Sequence, residues 1–324
     1  MRVNDLLIGL LSALVATNQP VAVSNFVART TGVSVAIPDP NDPLEKEYKK
    51  LLELDDAAEE EVDKWIRDNQ AFSEKGAGVP DATLRARVLQ RLEPVRKSYE
   101  DFLQRHPDHA RAHLAYGSFL MEIQEEEEAV KHMEKSRELD PRNPAAWNNL
   151  ANYYGHRSPV QKAFEYYAKA IELNPNEPVY YQNLATSVYL FRKDAMEFYK
   201  FTEPQVFDRS LELYRKAVKL DPDNFVLASD YAQTYYGIRP MRHEEAIAAW
   251  EQALKIASTD EEREGVYVHL ARIKLDAGRF AEVRAHLDSV TNAVFAELKR
   301  RLIRNLTERE GKSKETNAPP LFTK

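Results

Sequence analysis

Residues that carry thiol chemistry or form loops are absent or scarce. The 324-residue sequence contains no cysteine, which excludes disulfide bonds, cysteine-ligated zinc and thiol catalysis. Glycine accounts for only 10 residues, well under the roughly 7% of average usage, so few loops and many helices are expected. The glycine motifs of phosphate-binding loops, dinucleotide-binding turns and serine hydrolases are also missing. We therefore predict that the protein is not an enzyme.

The charge balance is acidic rather than basic. Lysine and arginine number 45 against 52 aspartate and glutamate residues, which gives a formal net charge of −7. Phosphate contacts need a concentrated basic face, and the only dense basic stretch comprises Lys299, Arg300, Arg301 and Arg304. We predict that nucleic acid is not a partner.

Three histidines have a spacing that one helix could bring together. His106, His109 and His113 are compatible with a metal site in this respect, but no glutamate is placed as in the zinc motif HExxH. His106 also precedes Pro107 directly. We interpret these histidines as structural or surface residues and predict no metal and no cofactor.

The N-terminal segment carries an apolar run of eleven residues, from Leu6 to Ala16. This is about half of the ~20 residues that a membrane-spanning helix needs, but it suits the core of a signal peptide. Small residues at Ala22 and Ser24 would fit a cleavage site. We predict a signal peptide at 1–24, an extended linker at 25–43, and a mature chain without a membrane span that is exported to the periplasm or the outside. The alternative is an apolar cap on a cytoplasmic protein.

Further along the chain, the sequence repeats itself every 34 residues. Pro107, Pro141 and Pro175 are separated by this period. Small residues recur with the same spacing, at Gly117, Ala151 and Ala185 and again at Ala129 and Ala163. A fixed period of this length is typical of a solenoid built from helix pairs, in which small residues lie where two helices cross closely.

The segment 145–175 resembles the tetratricopeptide repeat family. The residues that match the family motif are Trp147, Leu150, Ala151, Tyr154, Ala163, Tyr167, Ala170 and Pro175. The resemblance implies an all-α fold, a right-handed superhelical solenoid of antiparallel helix pairs. It further implies a non-catalytic scaffold that binds an extended peptide or a partner protein in the concave groove lined by the first helix of each repeat.

These anchors divide the chain into consecutive regions. We predict N-terminal helices at 44–107, including a degenerate leading repeat, and five repeats at 108–290. Their helix pairs should lie near 110–140, 144–174, 178–221, 225–257 and 262–290. A capping helix is predicted at 291–310 and a disordered tail at 311–324. In the second repeat, Ser158 is predicted to cap the second helix, with Pro159 at its first position.

The third repeat contains an insertion near 190–206. The step from Pro175 to Pro222 is 47 residues, which exceeds the period by 13. Thr202 to Gln205 reads as a capping box, so the second helix should begin near Glu203, while the first helix should run on past Tyr189. The insertion holds aromatic residues that either fold back onto a neighbouring repeat, the arrangement we favour, or form a docking site: Phe191, Phe198, Tyr199 and Phe201.

The resemblance also suggests where a peptide would bind. In families that share the motif, an asparagine just before the motif leucine can hydrogen-bond the backbone of an extended peptide. Asn149 and Asn183 hold that position here, whereas the other repeats have Ala115, Asp230 and His269. Nearby groove positions are polar and uncharged, or aromatic: Asn148, Asn152, Gln182, Thr186, Tyr189, Ser229, Gln233 and Tyr236.

Two interpretations stay open at this point. Asn149 and Asn183 either bind a peptide or satisfy only neighbouring backbone groups. The protein as a whole either binds a peptide in its groove or is a structural subunit of a larger assembly that docks through its helical edges and the insertion. The uncharged groove argues against an acidic chaperone tail as the ligand, and the sequence does not identify the partner.

Overall fold

The computed structural model describes Asp39, residues 41–157 and residues 159–316. Within these residues it contains fourteen α-helices and no strand, which confirms the predicted all-α fold. The chain divides into two compact units at Leu139 and Asp140. The predicted signal peptide, nearly all of the predicted linker, Ser158 and residues 317–324 lie outside the described residues.

The first unit consists of two helical hairpins. Helices α1 (Pro43–Ser73) and α2 (Asp81–Arg105) form the first, and α3 (Ala110–Glu122) and α4 (Glu126–Leu139) form the second. Asp42 caps α1 by accepting a hydrogen bond from the backbone of Leu44 at 3.0 Å, with Pro43 in the first turn. The apolar stripes of the helices supply one core that includes Leu51, Val95, Tyr99, Phe102, Tyr116 and Phe119.

The second unit begins with a regular hairpin and continues through the repeats to a terminal helix. Its helices are α5 (Pro144–Gly155), α6 (Gln161–Leu173), α7 (Pro178–Leu190), α8 (Arg192–Tyr199), α9 (Glu203–Leu220), α10 (Phe225–Thr234), α11 (His243–Ile256), α12 (Asp260–Asp276), α13 (Phe280–Asp288) and α14 (Ala296–Thr316). The hairpins pair α5 with α6, α7 with α9, α10 with α11 and α12 with α13. The first helix of each pair is therefore α5, α7, α10 or α12.

Small residues allow the two helices of a repeat to approach closely. Ala151 and Ala163 are fully buried between α5 and α6. In the first unit Gly117 holds the place of Ala151, and a Cβ atom there would lie 2.7 Å from Cγ of Met133. The α3–α4 crossing is thus closer than an alanine tolerates, which explains a glycine in the middle of a helix.

In three consecutive repeats, a hydrogen bond joins the first helix to the turn that precedes it. In each, a ring or hydroxyl group bonds to the carbonyl oxygen of the proline six residues earlier. The pairs are His113 Nε2 to Pro107 at 2.9 Å, Trp147 Nε1 to Pro141 at 2.9 Å and Tyr181 Oη to Pro175 at 3.1 Å. His113 is therefore a structural residue, since it makes the bond that the motif tryptophan makes in the next repeat.

The inserted segment forms a separate short helix. The first helix was predicted to run on beyond Tyr189, but it does so by one residue only, because α7 ends at Leu190 and α8 follows it after Phe191. Lys200 stops α8 with a left-handed backbone, φ 57°. Helix α9 begins at Glu203 as predicted, and the Gln205 side chain accepts a hydrogen bond from the Thr202 N–H at 2.8 Å.

The aromatic residues of the insertion fold back onto the preceding repeat, as favoured. The Phe164 ring of α6 lies 5.5 Å from that of Phe198 and 5.7 Å from that of Tyr199, between centroids. Tyr199 in turn stacks on Phe201 at 5.5 Å. These contacts bury much of the apolar surface that the insertion would otherwise expose.

Two helix boundaries differ from those predicted. Helix α6 begins at Gln161 with Val160 before it, so Pro159 is not its first residue. At the other end, residues 311–316 continue α14 instead of being disordered. Lysine and glutamate favour helix in this stretch, and Gly311 alone does not stop it.

Candidate functional site

The candidate residues of the second unit lie along its first helices, where hydrogen bonds link one helix to the next. Asn183 of α7 donates from Nδ2 to Oδ1 of Asn148 on α5 at 3.0 Å. Asn148 is buried and donates in turn to Asn149 Oδ1 at 3.4 Å. The two asparagines that the motif singled out are thus joined through a third, Asn148.

The next link joins α7 to α10. Gln182 donates from Nε2 to the Asp230 carboxylate at 2.9 Å. Burial raises the pKa of Asp230 above its ordinary value, although the hydrogen bond from Gln182 opposes this effect. Asp230 occupies the position that is asparagine in the two preceding repeats, so its carboxylate takes over the linking role of an amide.

A third link connects the turn after α10 with α12. The Tyr236 hydroxyl lies 2.9 Å from Nδ1 of His269, and the His269 ring stacks on Trp250 with centroids 4.0 Å apart and planes 6° apart. Burial, together with the nearby Arg272 cation, lowers the pKa of His269 to about 4. His269 is therefore a neutral hydrogen-bonding partner at pH 7. We name the three links together the polar ladder, defined by Asn148, Asn149, Asn183, Gln182, Asp230, Tyr236 and His269.

Three further candidates contact their own or the adjacent repeat. Thr186 Oγ1 bonds to the Gln182 carbonyl oxygen at 2.9 Å and lies 2.7 Å from the Tyr214 hydroxyl. Asn152 is exposed and accepts from the Tyr167 hydroxyl at 2.7 Å. Tyr189 packs on Phe207, and its hydroxyl lies so close to Gly237 that a Cβ atom there would be 2.1 Å away.

The last two candidates, Ser229 and Gln233, line a cleft of about 480 Å³ beside Trp250 and His269. Gln233 is exposed. Ser229 Oγ and Trp250 Nε1 are buried and have no hydrogen-bond partner among the residues that the structure describes. Unsatisfied buried polar atoms are uncommon, so this cleft holds hydrogen-bonding capacity that the fold leaves unused.

Most residues of the polar ladder were predicted as candidates from the sequence, but Asp230 and His269 were not. Asp230 and His269 depart from the asparagine pattern, yet they hold the same repeat position as Asn149 and Asn183 and take part in the links. Their repeat position was the available signal, because the register of a solenoid places equivalent positions on one face whatever the residue type.

Neither a metal site nor a membrane span occurs in the parts of the chain that the structure describes. No group of three or more histidine, aspartate or glutamate side chains is placed to hold a metal ion there. His113 and His132 form a pair, with their Nδ1 atoms 2.8 Å apart. Among the same residues, none of the helices combines the length and apolar character needed to cross a bilayer.

Comparison with protein families adds an independent observation. The family model described as "Tetratricopeptide repeat" matches residues 96–138 and 127–178. Residues 96–178 are therefore tetratricopeptide repeats. Repeats of this family generally serve as non-catalytic scaffolds for protein–protein interaction. A sequence comparison with curated proteins gave no significant match.

Solved structures of tetratricopeptide proteins resemble this chain in fold. The C-terminal part of a TPR repeat-containing protein from Cytophaga hutchinsonii has a TM-score of 0.53 and 12% identity, and covers 81% of this chain and 99% of its own. PilW, a widely conserved type IV pilus biogenesis factor, has a TM-score of 0.50 and 11% identity, and the match covers 75% of this chain and 98% of PilW. YrrB, a TPR protein with an unusual peptide-binding site, has a TM-score of 0.49 and 13% identity, and the match covers 64% of this chain and 99% of YrrB. At such identities the likeness concerns the fold alone.

Proposed function

We propose that this tetratricopeptide protein is a non-catalytic scaffold whose second unit binds an extended segment of a partner protein along its first helices. The observation that carries the proposal is the way the ladder amides are held. Asn183 and Gln182 each use one N–H to join neighbouring helices, and both side chains are only half-buried.

A side-chain amide has two N–H donors and one carbonyl acceptor. Once one donor of Asn183 or Gln182 is engaged, a second N–H and the carbonyl oxygen are left for a ligand. This pair matches the C=O and N–H that an extended peptide backbone presents. Because the engaged donor already fixes the side chain, binding costs less conformational entropy than it would for a free amide.

The proposal gains support from the low charge of the ladder, in which Asp230 is the only acidic residue and the low pKa of His269 leaves that ring neutral at pH 7. Neutral amides recognise a peptide backbone without demanding particular charges from it. The competing interpretation, a structural subunit that docks through its edges and the insertion, has less support, since Phe198 and Tyr199 pack against Phe164 and are not held out for a partner.

A double variant, Asn149→Ala/Asn183→Ala, tests the proposal. Partners captured from native extract are purified, and their Kd for the variant is compared with that for the wild type. We expect binding to weaken by about 1–3 kcal/mol, the cost of lost hydrogen bonds and unpaired groups. Asn176→Ala is the matched control, because Asn176 is an exposed asparagine between α6 and α7. Unchanged affinity in the double variant would contradict the proposal.

Photo-crosslinking separates binding from any loss of stability in that variant. A crosslinking amino acid at the exposed Gln233 of α10 should capture the partner, whereas one at the exposed Lys219 of the second helix α9 should not. Capture at Lys219 alone would place the partner on the opposite side of the repeat and favour docking through the helical edges.

We also propose that the protein is exported, on the support of the apolar segment from Leu6 to Ala16. N-terminal sequencing of native material tests this. A start near Asn25 would agree with export, and an intact start at Met1 or Arg2 in a cytosolic fraction would contradict it.

A further inference from the structure

A second cleft in the second unit lies among α12, α14 and the turn after α10, and it has a volume of about 520 Å³. Its lining combines cationic and apolar side chains, among them Arg239, Met241, Arg272, Phe295, Leu298 and Arg301. We call it the arginine cleft. Gly265, His269 and Phe295 also line the cleft that contains Ser229 and Gln233, so the two are continuous.

The arginine cleft carries positive charge that the described residues do not neutralise. Of the arginines that line the cleft, Arg309 is paired: it lies 3.4 Å from the carboxylate of Asp276, which also lines the cleft. The His243 ring lies 2.9 Å from the same carboxylate. Within the described part of the chain, Arg272 and Arg301 have no carboxylate partner although both are exposed. Several arginines elsewhere in the same unit are paired: Arg242 with Asp208, Arg279 with Glu244 and Arg284 with Glu310.

Apolar side chains lie between these cations. Leu298 is 44% exposed although it is a large aliphatic residue, and Phe295 and Met241 are half-buried beside it. An apolar surface flanked by unpaired guanidinium groups complements a segment that carries both carboxylates and apolar side chains.

The position of Arg272 is set by the polar ladder. Its guanidinium carbon lies 4.6 Å from the centroid of the Tyr236 ring. Tyr236 is held by its hydrogen bond to His269, and His269 is stacked on the buried Trp250. A cation fixed in this way loses little freedom on binding a carboxylate, because its side chain is already ordered.

We propose that the arginine cleft binds an acidic segment of the partner protein, whose carboxylates pair with Arg272 and Arg301 while an apolar side chain covers Leu298. The inference rests on the proposed function, since the occupant is a segment of the same partner. A long polyanion fits less well, because the continuous cleft beside it presents Glu261 and Glu262 and the whole chain carries a net charge of −7.

Three synthetic peptides of about twelve residues test the charge preference. They share the same apolar residues and carry glutamate, glutamine or lysine at every polar position. Fluorescence anisotropy with the full chain should show the glutamate peptide binding at least about tenfold more tightly than the glutamine peptide at low salt, with a smaller difference at raised salt. Equal affinity for the three peptides would overturn the proposal.

The double variant Arg272→Gln/Arg301→Gln should weaken binding of the glutamate peptide by about tenfold or more, because it removes both charge-assisted contacts. Arg304→Gln is the matched control. Like Arg301→Gln alone, it removes one charge from α14, but at an exposed residue outside the cleft, and we expect a change within about twofold, as for a screened surface charge. Equal losses in Arg304→Gln and in Arg301→Gln alone would show that the effect comes from net charge, and would overturn the site.

Two further measurements distinguish the alternatives. Phosphatidylserine vesicles or single-stranded RNA that bind more tightly than the glutamate peptide, and depend on Arg272 and Arg301, would overturn the peptide assignment. With the natural partner, loss of binding in Asn149→Ala/Asn183→Ala but not in Arg272→Gln/Arg301→Gln would refute this inference and leave the proposed function intact. The reverse result would support the cleft and refute the role of the ladder.

Discussion

The two units are built from the same helical hairpins, but they satisfy buried polar groups differently. In the first unit the interior contains ionisable groups: the Tyr99 hydroxyl donates to the buried carboxylate of Asp55, and His113 pairs with His132. In the second unit the buried polar groups are mainly neutral, as in the hydrogen bond from Ser210 Oγ to the Ala185 carbonyl oxygen at 2.9 Å, although Glu264 and Lys274 are also buried there.

The difference appears in the pKa values. Burial, opposed by the hydrogen bond from Tyr99, raises the pKa of Asp55 to about 6. Burial, together with the hydrogen bond and the charge of the neighbouring Glu59, raises the pKa of Glu122 above its ordinary value. Amides and hydroxyls carry no charge to desolvate, so the asparagines of the polar ladder have no such penalty. Asp55 and Glu122 of the first unit therefore hold their protons to higher pH than exposed carboxyl groups do, whereas the proposed binding face consists mostly of neutral groups.

The largest expected effect tests the aromatic packing of the second unit. A double variant, Phe198→Ala/Tyr199→Ala, should destabilise that unit by about 3–5 kcal/mol, because it uncovers the buried Phe164. Thermal unfolding with hydrogen exchange resolved by mass spectrometry measures the loss unit by unit. Glu197→Ala on the same helix is the exposed control. A double variant that keeps its stability but loses a partner would mean that these aromatics dock instead of packing.

The next prediction concerns the buried carboxyl group of the first unit. With a pKa near 6 in the folded chain and about 4 when unfolded, Asp55 favours folding in its protonated form. The contribution of Asp55 to the free energy of unfolding is therefore lost as pH rises from about 4 through 6. Asp55→Asn, which keeps an acceptor for Tyr99, should be more stable than the wild type at pH 8 by about 1–3 kcal/mol.

Urea unfolding at pH 8 and at pH 4 measures this difference, which should approach zero at the lower pH. Asp56→Asn is the matched control, since Asp56 is exposed on the same helix. A stability gain of equal size at both pH values would contradict the charge-burial explanation.

A third prediction compares one helical glycine from each unit, Gly117 of α3 and Gly155 of α5. Gly117→Ala should cost about 1–3 kcal/mol, because its Cβ would lie 2.7 Å from Met133 Cγ and 3.0 Å from the Ala129 carbonyl oxygen, which belongs to the backbone of α4. Gly155→Ala should be neutral or slightly stabilising, since the nearest atom to its Cβ is 3.7 Å away. Chemical denaturation of both variants tests the pair. Equal losses of stability in the two variants would show that α3 and α4 are no closer at Gly117 than α5 and α6 are at Gly155.

The smallest expected effect is on the ladder itself. Asn148→Ala removes the acceptor of Asn183 and should cost about 0.5–1.5 kcal/mol, the net value of a neutral hydrogen bond. The loss should be the same at pH 5 and pH 8, in contrast to that of Asp55. Asn176→Ala serves as the exposed control, and a strongly pH-dependent loss would show that the ladder is coupled to a titrating group.

Much of the fold was predictable because local and periodic features of the sequence determine it. The helix pairs follow from the 34-residue spacing of Pro107, Pro141 and Pro175, and the start of α9 follows from the capping sequence at Thr202. The path of the insertion was not predictable, since a break at Phe191 and a left-handed Lys200 depend on packing against α6 and leave no clear local signal.

The candidate site shows the same division. Sequence register placed Asn149, Asn183 and Gln182 on one face, because equivalent positions of a repeat coincide in a solenoid. Register did not predict that Asn183 bonds to Asn148, or that Asp230 replaces an amide as the partner of Gln182. Such pairings depend on distances between side chains of different repeats, which the order of residues along one helix does not specify.

The sequence by itself determined the all-α repeat architecture, the small residues at helix crossings and the face on which the candidate residues lie, since these depend on periodicity and local propensity. The tertiary structure alone decided which polar groups are buried and paired, how the aromatics of the insertion fold back, and that Arg272 and Arg301 line one cleft. These features join residues distant along the chain, and their energies depend on burial and on distances that arise only when the helices pack.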